Sequence, residues 1–166
     1  MSSPIRTALL CLLLAALAAC AGYSAGGGGD LVLGPEHRSL YIKDVDNPTM
    51  RAELESRLRS VMRDEMTKRG HIQWSERGKA AAYVKVRVER FTSTTSISDK
   101  YDKSVLLSAN VTLSATIHDA ASGDPIWHSE NVSASQNFLT GDRASAEEKV
   151  LDLAVRRLVD RMHQNF

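Results

Sequence analysis

Residues 107–118 read LSANVTLSATIH, and every second side chain along them is apolar. Successive side chains of a β-strand point to opposite faces, so this alternation predicts a strand with one buried face. The buried side carries Leu107, Ala109, Val111, Leu113, Ala115 and Ile117. The exposed side carries Ser108, Asn110, Thr112, Ser114, Thr116 and His118. A strand buried on one side needs an apolar layer against that side, which the rest of the chain must supply.

Further strands are predicted on both sides of this one. Residues 83–91 alternate in the same way, with valines on one side and charged side chains on the other. Residues 119–125 contain Ser-Gly-Asp, which favours a turn, so residues 126–138 are predicted to be the antiparallel partner strand. Two shorter β-rich runs, at residues 39–45 and 72–74, predict a first strand and a further short strand.

Two amphipathic helices are predicted to supply the apolar layer. Asn47-Pro48 is typical of an N-cap followed by proline at the first helical position, and Gly70 is typical of a helix end. The apolar stripe of this helix is Leu54, Leu58, Val61, Met62 and Met66. The sequence Ser145-Ala146-Glu147-Glu148 predicts a capping box that opens the second helix. The apolar face of that helix carries Leu151, Ala154, Val155, Leu158 and Met162.

The order of these elements predicts an α+β fold. We expect a mixed or antiparallel sheet of about four to five strands with two helices packed on one face, a two-layer sandwich. Residues 92–103, which are rich in Ser and Thr, are predicted to form a long polar loop between two strands.

The N-terminus is typical of an exported lipoprotein. Arg6 supplies positive charge, an apolar run follows, and Leu17-Ala18-Ala19-Cys20 has the small residues of a lipobox. We expect cleavage between Ala19 and Cys20, followed by acylation of Cys20 with a diacylglyceryl group and a further chain such as palmitate. Two or three acyl chains hold a protein firmly on a bilayer. An ordinary signal peptide followed by an ordinary cysteine is the alternative.

The chain therefore divides into three predicted segments. Residues 1–19 are the signal peptide, residues 20–37 are the lipidated cysteine with a flexible glycine-rich tether, and residues 38–166 are a single α+β domain. Ala21, rather than an aspartate, follows the cysteine. This favours the outer membrane, with the domain facing the periplasm, over retention at the inner membrane; a Gram-positive lipoprotein is the alternative.

Composition excludes several classes of protein. Lys and Arg number 21 and Asp and Glu number 20, and such balanced charge argues against a nucleic-acid-binding protein. The two cysteines are Cys11, in the predicted signal peptide, and Cys20. No disulfide is available within the domain, so its stability must come from a packed core.

The face of the sheet away from the helices is the first candidate site. Its predicted partner-binding residues are Ser108, Asn110, Thr112, Trp127, Ser129 and Asn131. Neutral hydrogen-bonding side chains suit contact with a polar protein surface or with sugars, and a merely solvated sheet face fits them equally well.

A basic area is the second candidate site. Its predicted residues are Lys85, Arg87, Arg90, Lys100 and Lys103. Cations placed together on a strand and a loop suit the binding of phosphate groups. The alternative is a set of solvated charges on a mobile loop.

Catalytic and metal-binding motifs are missing from the sequence. It contains no G-x-S-x-G, no phosphate-binding loop and no dinucleotide glycine fingerprint. The five histidines have neither HExxH spacing nor cysteine partners. We therefore expect no enzyme activity, no metal and no cofactor.

Several short pieces of sequence follow one another along nearly all of the mature chain in a characteristic order. These are Cys20-Ala21-Gly22-Tyr23 before glycines, Arg38-Ser39-Leu40-Tyr41-Ile42, Asn47-Pro48-Thr49, Ala80-Ala81-Ala82-Tyr83 and Gly123-Asp124-Pro125-Ile126-Trp127. In these pieces and their order the chain resembles the LptE family of lipopolysaccharide-assembly lipoproteins. Family members often have Gly after the lipidated cysteine and a Phe near Val45, and this chain has neither.

The resemblance implies a non-enzymatic partner of the outer-membrane β-barrel LptD. Such a lipoprotein sits as a plug inside the barrel, aids its assembly and helps to insert lipopolysaccharide into the outer leaflet. The phosphate groups expected at the basic area would then be those of lipopolysaccharide. An activator lipoprotein that docks on a cell-wall synthase and an accessory lipoprotein of an envelope transport complex are the alternatives.

Overall fold

A computed structural model describes residues 31–69, 72–98, 100, 104–139 and 142–163. The strands are β1 Ser39–Asp46, β2 Gln73–Trp74, β3 Ala82–Ser98, β4 Ser104–Asp119, β5 Pro125–His128 and β6 Val132–Leu139. The helices are α1 Glu53–Lys68 and α2 Arg143–Arg161, and a single 3-10 turn spans Pro35–His37.

The strands form one mixed sheet in the order β2-β1-β3-β4-β5, with β6 pairing to β4 as well. β1 runs parallel to both β2 and β3, whereas β4 runs antiparallel to β3, β5 and β6. The predicted α+β fold is confirmed, with a sheet of six strands rather than four to five.

Both helices cover one face of the sheet. The inner sides of β3 and β4, from Val84 to Val88 and from Ala109 to Ile117, lie in one hydrophobic cluster with the helices. The predicted apolar faces of both helices are confirmed, apart from Val61, which is only partly buried. α2 adds Ala146, Val150 and Val159 to the cluster, so it is the more deeply buried helix.

The folded domain begins before the predicted end of the tether. Leu31 and Leu33 are buried in the core, and the amide of Val32 donates to the carbonyl of Met162 at 2.8 Å. The His37 ring lies 3.1 Å from a carboxylate oxygen of Asp119. The prediction of a flexible tether through residue 37 is therefore wrong from Leu31 onward, because two leucines find room against the core. Residues 1–30, with the predicted cleavage and lipidation sites Ala19 and Cys20, lie outside the described residues.

Both helices begin elsewhere than their capping signals predict. The side chain of Asn47 accepts from the Thr49 amide and donates to the Arg51 carbonyl, so it closes a turn before α1, which begins at Glu53. α2 begins at Arg143, so Ser145 lies inside the first turn and forms no capping box. The predicted end of α1 at Gly70 lies outside the described residues.

The predicted loop at residues 92–103 is largely β-strand. β3 continues to Ser98 and pairs with β4 back to Ser104, so only residues 99–103 connect the two strands. Ser and Thr are compatible with a turn or a strand, and pairing along β4 decides for the strand here. Residues 92–98 extend the sheet instead of forming a mobile loop.

Candidate functional site

The uncovered face of the sheet carries neutral polar side chains on β4 and β6. We call it the polar face, and it consists of Ser108, Asn110, Thr112, Ser114, Thr116, Ser133, Ser135 and Asn137. The Thr112 and Ser133 hydroxyls lie 2.9 Å apart across the two strands. The Ser114 hydroxyl donates to Glu89 at 2.7 Å. Hydroxyls and amides on this face can both donate and accept hydrogen bonds, which suits a neutral polar partner.

The structure places four of the six predicted partner-face residues at accessible positions. Ser108, Asn110 and Thr112 lie on the polar face, and Asn131 is exposed in the break between β5 and β6. Two placements are wrong. Trp127 lies opposite Ile117 and packs partly against the core, and Ser129 is only 2% exposed.

One extra residue between β5 and β6 causes both errors. Trp127 pairs with Ile117 of β4, and Ser133 pairs with Thr112. The interval from Trp127 to Ser133 is one residue longer than the interval from Thr112 to Ile117. An extra residue in one strand moves the side chains beyond it to the other face. Glu130, in the left-handed region with φ 54°, lies in this break. The Ser129 hydroxyl turns inward, where it accepts from the Ala115 amide at 2.8 Å and donates to the Glu130 carbonyl.

A second bulge, at Glu89, brings Arg90 onto the polar face. Val88 pairs with Leu113 and Arg90 pairs with Thr112, so Glu89 is the additional residue. Arg90 therefore lies beside a shallow groove of about 500 Å³. Arg157 of α2 lines the same groove and donates to the Ser133 carbonyl at 2.7 Å. The remaining lining residues are Thr92, Asn110, Val111, Thr112, Ser133, Ala134 and Ser135.

The four predicted basic residues that the structure describes do not form one area. Lys85 and Arg87 lie on β3 opposite Asp44 and Asp46 of β1, while Lys100 follows the far end of β3. At about 3.3 Å per residue, Lys85 and Lys100 are roughly 40 Å or more apart. The cause is the continuation of β3 where a loop was expected. Lys103 lies outside the described residues.

Neighbouring carboxylates reduce the charge that Arg87 offers to a ligand. Its guanidinium lies 2.9 Å from Asp46 and 3.4 Å from Glu89. Asp46 also lines a groove of about 880 Å³, whose charged lining residues are Asp44, Asp46, Glu55, Lys85 and Arg87. Because acidic groups match the basic ones there, the groove does not favour an anionic ligand.

Sequence reasoning missed a cluster of aromatic rings and lysines near the opposite end of the same face. His118 stacks on Tyr83 with ring centroids 4.9 Å apart, and Tyr41 lies 5.8 Å from Tyr83. The Lys43 ammonium lies 4.3 Å from the centre of the Tyr83 ring, and that of Lys85 lies at 5.9 Å. The cluster depends on the register of β1, β3 and β4, which alternation alone does not give. This register brings together two cations, Lys43 and Lys85, that lie far apart in the sequence.

A partly buried ion pair joins the N-terminal ends of the two helices. A guanidinium nitrogen of Arg51 donates to Glu147 at 2.9 Å, a second one contacts its other oxygen, and Arg143 also donates to this carboxylate. The hydrogen bonds from Arg51 lower the pKa of Glu147 below its usual range. The guanidinium of Arg51 also covers the Phe91 ring at 4.6 Å. This pair fixes the loop before α1 against the start of α2, on the side of the sheet that the helices cover.

The residues that the structure describes contain neither a membrane-spanning helix nor a metal-binding cluster. No helix among them is both long and apolar enough to cross a membrane. Within the same residues, no three His, Cys, Asp or Glu side chains converge as a metal site would require.

A protein-family model described as LptE, lipopolysaccharide-assembly, matches residues 38–165. The chain belongs to the LptE family. The match spans all the strands and both helices of this LptE-family chain, so the family resemblance read from short sequence pieces is confirmed. No curated protein is significantly similar to it in sequence.

Solved structures share the fold at low sequence identity. A PelC dodecamer from Paraburkholderia phytofirmans matches with a TM-score of 0.54 and 10% identity over 84% of this chain and 95% of that chain. A minor lipoprotein from Acinetobacter baumannii gives 0.51 and 12% over 76% and 91%. The hypothetical protein CT253 from Chlamydia trachomatis gives 0.56 and 10% over 75% and 95%. At such identities the likeness extends to the fold alone.

Proposed function

We propose that this chain is an outer-membrane lipoprotein that plugs the LptD barrel and assists its assembly. In this proposal Cys20 carries the acyl chains, the domain faces the periplasm, and the protein takes part in lipopolysaccharide insertion into the outer leaflet. The family match over residues 38–165 is the observation that carries the proposal.

The polar face supports the role of a plug. The lumen of a membrane β-barrel is lined by polar side chains and water, so a protein inside it needs a wettable surface. Ser133, Ser135 and Asn137 on the edge strand are exposed, and their neighbours on β4 are neutral. Such a surface can exchange water for hydrogen bonds to the lumen without desolvating charges.

Crosslinking followed by affinity purification tests the barrel partnership. A tag at the C-terminus of the full chain, in cells treated with a membrane-permeable crosslinker, should recover an outer-membrane β-barrel. An unrelated tagged outer-membrane lipoprotein is the matched control. Recovery of a cell-wall synthase or an inner-membrane transporter in place of the barrel would reject the proposal.

Lipid anchoring is tested separately from the barrel. Mass spectrometry of the mature N-terminus should show an acylated Cys20, and fractionation should place the protein in the outer membrane because Ala21 follows the cysteine. An unmodified N-terminus on a protein free in solution would contradict this part of the proposal.

We further propose that Arg90 contacts a phosphate group of lipopolysaccharide. Arg90 lines the groove beside its neutral hydroxyls, whereas Arg87 already contacts two carboxylates.

Charge reversal distinguishes this contact from general attraction. Arg90→Glu should weaken lipopolysaccharide binding about tenfold, since a charge-assisted hydrogen bond contributes about 1.5 kcal/mol or more. Arg77→Glu changes the net charge equally at an exposed loop position and should bind as the wild type does. Equal loss in both variants, measured by titration with purified lipopolysaccharide, would reject the contact at Arg90.

A further inference from the structure

Three rings lie in one row across the uncovered face of the sheet, where the strands end. Tyr41 of β1 pairs with Tyr83 of β3, and Tyr83 pairs with His118 of β4. Tyr83 is the second residue of β3 and His118 is the second-to-last residue of β4, so the row borders the end of the sheet. Tyr83 is only 9% exposed, although the helices cover the other face. Its neighbours on the uncovered face must therefore cover the ring.

Two lysines reach back over this row from positions farther along the strands. Lys43 and Lys85 are exposed, and their ammonium groups lie 4.3 Å and 5.9 Å from the centre of the Tyr83 ring. Among the described residues, no carboxylate forms an ion pair with either ammonium group. The apolar stem of a lysine can cover a ring while its charge stays in water. We call this surface the tyrosine–lysine patch, and it consists of Tyr41, Lys43, Tyr83, Lys85 and His118.

The acidic side of the neighbouring groove does not neutralise this patch. Lys85 lines that groove, but its ammonium group lies on the Tyr83 ring and not on Asp44, its partner in register. Asp46 and Glu55 of the groove each contact an arginine. Both ammonium groups of the patch are therefore available to a ligand, with Asp44 as the nearest opposing charge in register.

The patch lies at the end of the domain where the chain arrives from the predicted anchor. The His37 ring lies 3.1 Å from Asp119, and Asp119 directly follows His118 of the patch. Residues 20–30, which precede buried Leu31, are eleven in number and span at most roughly 40 Å. The 17 residues of β3 extend about 50 Å away from this end. An anchoring leaflet is therefore within reach of the patch and far from the connection between β3 and β4.

We propose that the tyrosine–lysine patch contacts anionic phospholipid headgroups of the leaflet that holds the acyl chains. The inference rests on the acylation of Cys20 in the proposed function and adds the orientation of the domain on the membrane. Lysines are attracted to the phosphates of an anionic leaflet, and the apolar ring and polar hydroxyl of tyrosine suit the boundary between lipid and water.

Two lysines are enough for this role because the acyl chains already supply the binding. The patch has only to favour one orientation of a domain that is tied to the leaflet. Each lysine at an anionic surface favours that orientation about fivefold. The polar face farther along β4 and β6 stays available to the barrel.

Lysine footprinting of the full acylated chain tests the contact directly. The protein is added to preformed vesicles of phosphatidylcholine, alone or mixed with phosphatidylglycerol, and exposed amines are acylated with a membrane-impermeant reagent. Lys43 and Lys85 should react at least about fivefold more slowly on the mixed vesicles. Lys149, which is exposed on α2, is the matched control and should react equally on both. Equal rates for Lys43 and Lys85 on both kinds of vesicle would overturn the contact.

A fluorescent label in the turn after β4 measures the orientation independently. Ala121→Cys supplies a single thiol for labelling, because the mature chain has no cysteine besides acylated Cys20. Energy transfer from this label to labelled headgroups should be stronger on the mixed vesicles. Lys43→Gln combined with Lys85→Gln should abolish that increase. Asp44→Asn, which removes the negative charge opposite Lys85, should enlarge it.

Removal of the same charge elsewhere is the control for these variants. Lys149→Gln combined with Arg156→Gln removes two positive charges from exposed positions of α2 and should keep the wild-type energy transfer. Circular dichroism checks that each variant is folded, and the gain expected of Asp44→Asn does not depend on any loss of structure. Equal loss in the patch and control variants would assign the effect to net charge and overturn the patch.

The outcomes separate this inference from the proposed function. Acylated, vesicle-bound protein whose patch lysines stay reactive would overturn the headgroup contact and leave the anchoring and the barrel partnership intact. Protein that lacks acyl chains and stays in solution would overturn the anchoring and this inference together. Protection of Lys43 and Lys85 by inorganic phosphate on vesicles of phosphatidylcholine alone would assign the patch to a small anion and overturn the lipid contact.

Discussion

At the scale of single residues, Ser129 illustrates how a polar side chain can be essential to a core. Its hydroxyl satisfies the amide of Ala115 inside the sheet, where the extra residue leaves that amide without a strand partner. A buried donor without an acceptor costs the free energy of its desolvation. Ser129 therefore stabilises the break between β5 and β6 instead of binding a partner.

Replacement of Ser129 measures that contribution. Ser129→Ala should lower the free energy of unfolding by about 1–3 kcal/mol, because the Ala115 amide loses its acceptor. Ser133→Ala, which removes an exposed hydroxyl pair with Thr112, is the control and should cost less than about 0.5 kcal/mol. Urea unfolding followed by circular dichroism gives both values. Equal stability of the two variants would show that Ala115 finds another acceptor.

The carboxylate of Glu147 is the second residue with a specific energetic prediction. Glu147→Gln should lower the free energy of unfolding by about 1–2 kcal/mol at neutral pH, since the side chain loses its negative charge and one of the two oxygens that accept from Arg51. Solvent weakens the pair, because the Arg51 and Glu147 side chains are 27% and 16% exposed. Glu148→Gln is the matched control, because its bond to Arg57 is more exposed on both sides.

The pH dependence of this effect has a defined sign. Folding lowers the pKa of Glu147, so its contribution is present above the ordinary glutamate pKa and is lost as the pH falls through the folded value. The difference between wild type and Glu147→Gln should be full at about pH 7 and should shrink towards about pH 3. A difference of constant size across this range would contradict the assignment to the charged carboxylate.

At the scale of elements, alternation predicts strands well and predicts their irregularities poorly. The runs that became β3 and β4 were identified because apolar side chains recur at every second position, a consequence of burial on one face. No residue type in the sequence signals the extra residues at Lys43, Glu89 and Glu130. Strict alternation after Leu40 and Ile42 would place Asp44 on the inner side of β1, but buried Val45 takes that position because the register shifts between Ile42 and Asp44.

The same limitation explains the errors in the candidate site. Ser133 lies an even number of positions after Trp127, so strict alternation places both side chains on one face, whereas the break places them on opposite faces. The extra residue at Glu89 has the opposite effect. Strict alternation places Arg90 on the inner face, and the bulge moves it to the polar face. Neutral residues of β4, which contains no such break beside β6, were placed correctly.

The turn between β4 and β5 has a predictable dependence on Gly123. Gly123 has φ +81°, a conformation that costs other residues about 1–2 kcal/mol, and a Cβ atom there would meet nothing within 4 Å. Gly123→Ala should therefore lower the free energy of unfolding by about 1 kcal/mol through backbone strain alone. Gly123→Asn should lose less, because asparagine tolerates this region. Thermal unfolding of both variants tests the order, and a larger loss for asparagine would contradict it.

At the scale of the whole molecule, the sheet gives the domain two distinct ends. The entering chain at Leu31 and His37 lies near Met162 and Asp119, and the connection between β3 and β4 lies at the opposite end. β3 has 17 residues and therefore extends about 50 Å. A lipid anchor before Leu31 would hold one end of the sheet near the membrane while Arg90 and the β6 edge lie farther along it.

The start of the folded domain can be measured by truncation. A protein starting at Leu31 should unfold as a single unit, with no effect of reductant, because residues 31–166 contain no cysteine. A protein starting at Ser39 lacks Leu31 and Leu33, which are 7% and 3% exposed, together with the bonds from Val32 and His37. Burying one leucine contributes about 1.5–3 kcal/mol, and ordering the segment offsets part of this. The shorter protein should therefore be less stable by about 2–4 kcal/mol in urea unfolding. Equal stability of the two truncations would mean that the segment before β1 is a tether after all and that the core is complete without its leucines.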